Sequence, residues 1–171
     1  HKKEKLEHMN QILSDLYVRD SVTGLYNRMG YQKLSISYFT IMREKKMPVL
    51  VMFIDLDRLK YINDTFGHEY GDFAIVSIAK AMLKHCDADA IAARTGGDEF
   101  IVLEGAKDEE SGRVLAQKIR TELSKTQRAM QLPFDLSASI GAVVAHPGEE
   151  NVLESYVKRA EMLMYEEKAE K

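Results

Sequence analysis

The chain has 171 residues, 45% hydrophobic and 30% charged, with 24 Lys and Arg against 27 Asp and Glu for a formal charge of −3. That is enough apolar chain for one domain with its own core, and the slight acidity argues against a nucleic-acid-binding surface, which needs a basic bias. No apolar run nears the roughly 20 residues of a spanning helix, the charged N-terminus lacks a secretion-signal core, and Cys86 is alone, so a cytoplasmic, reducing setting is expected.

The first twenty residues stand apart. Leu6, Met9, Leu13 and Leu16 recur at spacings of three, four and three among Lys, Glu, Asp and Gln, the a/d pattern of a coiled coil. Two such heptads suggest the end of a longer signalling helix over residues 1–19; an amphipathic helix docking on its own domain fits the pattern equally. Residues 20–171 form the main domain, and the bare stalk beginning at His1 suggests that an upstream module has been removed. Asp20 to Gly24 breaks the first helix, and Asn27 can cap a second running to about Lys46, before Pro48. Val49 to Ile54 is apolar throughout, a central strand covered on both faces. A short helix from Asp57 to Phe66 ends at Gly67, and another runs from Asp72 to about His85, with Ile75, Ile78, Ala79 and Met82 on one face. Cys86, at its end, reads as a small packed residue.

Two strands follow, at about 89–95 and 99–104, joined through Gly96-Gly97 as a hairpin. Residues 109–126 read as a helix striped by Leu115, Ile119 and Leu123. Phe134, Leu136, Ala138, Ile140 and Ala142 alternate with Asp135, Ser137 and Ser139, so 134–145 is expected to be a strand packed on one face. A last helix covers about 151–169. The order matches a split βαβ plan, an α/β (α+β) fold with a mainly antiparallel sheet flanked by helices.

The chemistry concentrates in acids placed at strand ends. Asp55 and Asp57 close the first strand, and Asp98 and Glu99 follow the glycine pair just before Phe100 to Leu103. Clustered carboxylates are what a hard cation requires. Asp55 comes too early to cap a helix, and its charge at the end of a core strand needs a partner, so it is the better metal ligand, with the Leu56 carbonyl as a second oxygen. Asp57 is equally well read as a helix N-cap. One of Asp98 and Glu99 must point inward. The turn Asp57-Arg58-Leu59-Lys60 opens a helix, where free N–H groups and the dipole suit a phosphate, and Lys60 can add a positive charge. Asn63 can donate and accept while Asp72 only accepts, which together suit a guanine edge. His68 has no second His at ligand spacing and is not read as a metal site.

Over residues 20–169 these blocks resemble the GGDEF domain, the diguanylate cyclase module of bacterial signalling proteins. The matching segments are Asp20 to Arg28, Asp55 to Asp72, Arg94 to Phe100, Ser139 to Gly141, and Ala160-Glu161 with Tyr165 and Lys168. The resemblance implies a fold like nucleotidyl cyclases and polymerase palms, and condensation of two GTP into cyclic di-GMP with release of two pyrophosphates. It implies that Asp55, Leu56 and Asp98 hold Mg²⁺ (or Mn²⁺), that Asn63 and Asp72 read guanine, and that Asp57, Arg58, Leu59, Lys60 and Lys168 hold phosphates. Glu99 would be the second acid. Each domain would hold one GTP, so a homodimer is implied, set by the N-terminal helix beneath an upstream sensor domain that a membrane could anchor.

The chain departs from that pattern in places. The family's product-inhibition Arg-x-x-Asp reads Asp87-Ala88-Asp89-Ala90 here, so no feedback through that segment is expected. The usual Gly-Arg-Asn after the last helix is missing, which implies a shortened C-terminus. Ser21-Val22 and Glu161 replace commoner residues with little consequence. The alternative reading is a catalytically silent GTP-binding or protein-interaction module, against which the intact Asp55, Asp98 and Glu99 weigh. A cyclase making a mixed purine dinucleotide is disfavoured by Asp72.

Overall fold

Strand β1 (Val49–Leu56) is buried at every position, as an apolar run without alternation requires of a strand covered on both faces. In the computed structural model, which describes all 171 residues apart from the side chain of Asp15, β1 lies between β3 (Glu99–Gly105) and β4 (Ala138–Ala145), with β2 (Ile91–Arg94) beyond β3. The four strands pair antiparallel throughout, in the order β2-β3-β1-β4. The α/β plan with an antiparallel sheet flanked by helices is therefore borne out.

Alternation along β1 divides the core in two. Leu50, Met52 and Ile54 join a cluster with Ile75, Ile78 and Met82 of α4 (His68–His85) and Leu115, Ile119 and Leu123 of α5 (Ser111–Ala129). Val49, Val51 and Phe53 join the opposite cluster, with Phe39 and Met42 of α2 (Arg28–Glu44) and Tyr156, Ala160 and Met164 of α6 (Leu153–Ala169). The period of two then assigns Asp55 to the α6 side. Helix α6 can lie directly on β4 because Gly141 has no side chain: a Cβ there would meet Ala160 O at 2.0 Å and Met164 N at 2.5 Å. That contact brings the last turn of α6, with Lys168, to the acidic end of the sheet.

Asn27 caps α2 as expected, its Oδ1 accepting from Gly30 N–H at 2.8 Å. Helix α1 (Lys2–Val18) reaches the domain through Asn27, whose side-chain amide donates to Tyr17 O at 2.8 Å. Its apolar stripe is solvent-exposed: Leu6 is 60% and Leu16 70% accessible.

Several boundaries differ from the sequence expectation by a few residues, and four of them have a plain physical reason. Strand β1 extends through Asp55 and Leu56, because both find ladder partners, in Glu99, Ser139 and Ala138. Helix α3 (Leu59–Phe66) starts two residues late, since Arg58 takes a left-handed conformation at φ 59°; Asp57 is thus outside the helix and does not cap it. Helix α4 starts at His68 rather than Asp72, because Gly67 at φ 100° alone makes the turn. Strand β4 starts at Ala138, and it is covered on both faces: Ser139 is fully buried and serves a buried acid.

Candidate active site

The acids at the end of the sheet converge. Asp55 and Glu99 are direct partners in the β1–β3 register, so the pleat points both to the α6 side. Asp98 precedes Glu99 in the hairpin turn, and its carbonyl accepts the Leu56 N–H at 2.9 Å. One carboxylate oxygen from each of Asp55, Asp98 and Glu99 lies within 4.8 Å of the others. Sequence spacing required only one of Asp98 and Glu99 to face inward; the structure brings both. Neither glycine of the turn has a positive φ. Gly96 matters by its size instead, since a Cβ there would sit 3.1 Å from Glu99 Oε2.

The turn is anchored to the start of the domain. Arg94 Nη2 donates to Gly97 O at 2.9 Å while Nη1 reaches Asp20 at 3.3 Å, and Arg28 Nε donates to Thr95 O at 3.0 Å. The chain leaving α1 therefore holds the turn that carries Asp98.

Burial and crowding set the charge state. Asp55 is buried, and desolvation together with the Asp98 charge pushes its carboxyl up to about 6, against the opposing pull of Lys168. Glu99 is raised by burial, Asp98 and Glu161, and partly restrained by Arg28. Such a site favours a bound cation, because a cation relieves both the desolvation and the repulsion.

Asp57 behaves in the opposite way two residues on. Burial alone would raise it, but donors on every side outweigh that and hold it at about 2. They are Lys171 Nζ at 2.7 Å, Ser139 Oγ at 2.7 Å, Ser137 Oγ at 2.7 Å and Lys168 Nζ at 3.2 Å. Its N–H is also spent, on Ser137 O at 2.9 Å. Lys168 bridges both acids, with Nζ 3.3 Å from Asp55 Oδ1, and the carboxylates keep its ammonium protonated above the usual range despite burial. Ser137, Ser139 and Lys171 were given no role by sequence reasoning. The signal for the serines was two polar residues at spacing two on a strand with buried neighbours.

The other candidates lie around this centre. Arg58 and Lys60 are exposed at the start of α3 and Leu59 is half-buried; the Arg58 guanidinium stacks 4.4 Å over the Tyr61 ring. A cleft of about 460 Å³ beside them is lined by Asp57, Arg58, Tyr61, Phe134, Lys168 and Lys171. Between α3 and α4, the Asn63 amide presses against Gly71, where a Cβ would come within 1.7 Å of Oδ1. Asp72 is exposed one residue further along α4. On α6, burial together with the charges of Glu161, Glu99, Asp55 and Asp98 raises the Tyr165 hydroxyl.

Both the sequence and the fold have counterparts among known proteins. Residues 17–171 match the family model described as "Diguanylate cyclase, GGDEF domain". Diguanylate cyclase VdcA of Vibrio cholerae is 34% identical over 153 residues, covering 87% of this chain and 43% of the relative. Cyclic di-GMP phosphodiesterase NbdA of Pseudomonas aeruginosa is 27% identical over 165 residues, covering 96% of this chain and 21% of the relative. The chain thus spans less than half the length of these relatives. The crystal structure of the coiled coil and GGDEF domain of DgcB from Caulobacter crescentus, in complex with c-di-GMP, aligns with a TM-score of 0.82 over 99% of this chain and 90% of that one. At 23% identity that likeness establishes the fold.

Proposed function

Because the chain belongs to the GGDEF family of diguanylate cyclase domains, we propose that it condenses two GTP molecules into cyclic di-GMP, releasing two pyrophosphates. The observation that carries the reading is the convergence of Asp55, Asp98 and Glu99 within 4.8 Å at the mouth of the sheet. Their hard, anionic oxygens fit Mg²⁺ or Mn²⁺. Asp55, Asp98 and the Leu56 carbonyl would hold the ion, with Glu99 the second acid. Bound there, such an ion would acidify the attacking 3′-hydroxyl and offset charge on the triphosphate.

The rest of the work is positioning. In each half-reaction a 3′-oxygen of one GTP bonds the α-phosphorus of the other, the hydroxyl proton leaves, and the bond to the β-phosphate breaks. Asn63 and Asp72 read the guanine edge between α3 and α4. Lys60, Lys168 and the turn through Asp57, Arg58 and Leu59 border the phosphates; within that turn the cationic groups make the contacts and Asp57 fixes Lys168. Two facing domains are needed for both bonds, so the working unit is a homodimer. The exposed stripe of α1 supplies a pairing surface for a parallel coiled coil, which would relay the state of an upstream sensor domain in a cytoplasmic setting.

A second reading, a GTP-binding or protein-interaction module without turnover, is favoured by the match to NbdA, whose name states phosphodiesterase activity. Incubating the concentrated chain with GTP and Mg²⁺, and separating the nucleotide products, decides between them. Cyclic di-GMP that disappears in Asp98→Ala supports the cyclase; metal-dependent GTP binding without product supports the silent module.

A further inference from the structure

Four carboxylates, Asp55, Asp57, Asp98 and Glu99, share one end of the sheet. Among the described residues, Lys168 is the one cation within ion-pair distance of Asp55. Its Nζ stands 3.3 Å from Asp55 Oδ1 and 3.2 Å from Asp57 Oδ1. The two contacts are not equivalent. Asp57 is tied to Ser137, Ser139 and Lys171 as well, whereas Asp55 belongs to the cluster with Asp98 and Glu99.

We propose that Lys168 is the built-in counter-cation of this acidic corner: its ammonium neutralises Asp55 when no divalent ion is there, and competes with that ion for the same carboxylate. The inference rests on the reading of Asp55 as a metal ligand. Asp57 is then the fixed end of the arrangement and Asp55 the end that is released. The Lys168 side chain is 35% exposed on the last turn of α6, so it can exchange one contact without disturbing the core. Freed from Asp55, the ammonium stays paired with Asp57 and faces the cleft that both residues line with Arg58 and Tyr61. A cation held in this way keeps the empty site from spreading under its own repulsion, and places a positive charge on the cleft once the ion is bound.

The competition has a sign that a purely structural role would not produce. Mn²⁺ is titrated into the 171-residue chain without nucleotide, and free Mn²⁺ is read by electron paramagnetic resonance. Lys168→Met and Lys168→Gln are expected to bind Mn²⁺ about threefold to tenfold more tightly than the parent, the scale of one part-buried charge pair. Lys168→Arg, which keeps the charge, should stay near the parent value. Lys171→Met is the control for general field effects, since Lys171 touches Asp57 and Ala138 O rather than Asp55, and should shift affinity less than twofold. Unchanged or weaker Mn²⁺ binding in both neutral Lys168 variants overturns the proposal, as does equal tightening in Lys171→Met. Absence of saturable Mn²⁺ binding in every chain overturns the metal reading itself, and the proposal with it.

Discussion

Asp55 and Asp57 are two residues apart, equally buried, and opposite in character. Asp55 is 6% and Asp57 5% accessible, yet one carboxyl is driven up to about 6 and the other down to about 2. The difference lies in what each faces. Asp57 meets two hydroxyls and two ammonium groups, and its charge is satisfied by the protein. Asp55 meets Asp98 and Glu99, with one shared lysine in partial compensation. A buried carboxylate that the protein satisfies holds the fold together; one that it leaves short is prepared for a ligand.

The largest effect that could break this comparison comes from the open corner. Asp98→Ala should lower cyclic di-GMP formation by about 10³-fold or more, the scale of losing a group that acts on the transition state. It should leave the thermal midpoint unchanged or raised, because a repulsive neighbour of Asp55 is gone. Retained turnover would remove Asp98 from the site. Asp57→Ala should do the reverse to stability, costing about 2–3 kcal/mol in urea unfolding by stranding Lys168, Lys171 and two hydroxyls. A neutral result there would show that Asp57 is not the anchor its geometry describes.

The same contrast predicts a pH profile with two limbs. Asp57 has a folded value near 2 against an ordinary 3.8, so its contribution is complete above about pH 4 and is lost as pH falls toward 2. Asp55 has a folded value near 6, so the native state takes up its proton first, and stability rises as pH falls from 7 toward 4. Each limb is on the order of 2 kcal/mol. Without divalent ions, unfolding free energy measured from pH 7 to 2 should pass through a maximum near pH 4–5. Asp55→Asn should flatten the upper limb and Asp57→Asn the lower; a profile unchanged by both substitutions would erase the distinction.

The smallest effect concerns a third acidic group, at the far end of β3. There Glu104 is buried and accepts the Asp87 N–H at 3.0 Å. Burial together with Asp87, Asp89 and Glu104 raises the Tyr38 hydroxyl to about 12. This patch repels anions and has no converging set like that of Asp55. Added cyclic di-GMP should therefore produce no non-competitive inhibition through residues 87–90, and potent inhibition lost in an Asp87→Ala, Asp89→Ala double variant would refute that.

Much of this was readable from residue order. The apolar run at 49–54, the stripes of α4 and α5 and the Gly96-Gly97 hairpin are local signals, because period and turn chemistry act over a few residues. Acids flanking such runs, after 49–54 for Asp55 and before 100–103 for Asp98 and Glu99, marked these three for the same reason. What residue order left open is anything that needs two distant segments to meet. The roles of Asp57 depended on Ser137, Ser139, Lys168 and Lys171, eighty or more positions away. Asp57 could be read as a cap or a phosphate neighbour until β4 and α6 closed over it. The start of α4 turned on one glycine dihedral at Gly67, and the approach of Lys168 on a missing Cβ at Gly141. Sequence alone determined which side chains could bear charge at the end of a strand. Packing decided which of those charges the protein would neutralise, since that depends on close donors and ion-pair partners supplied by elements far apart in the chain.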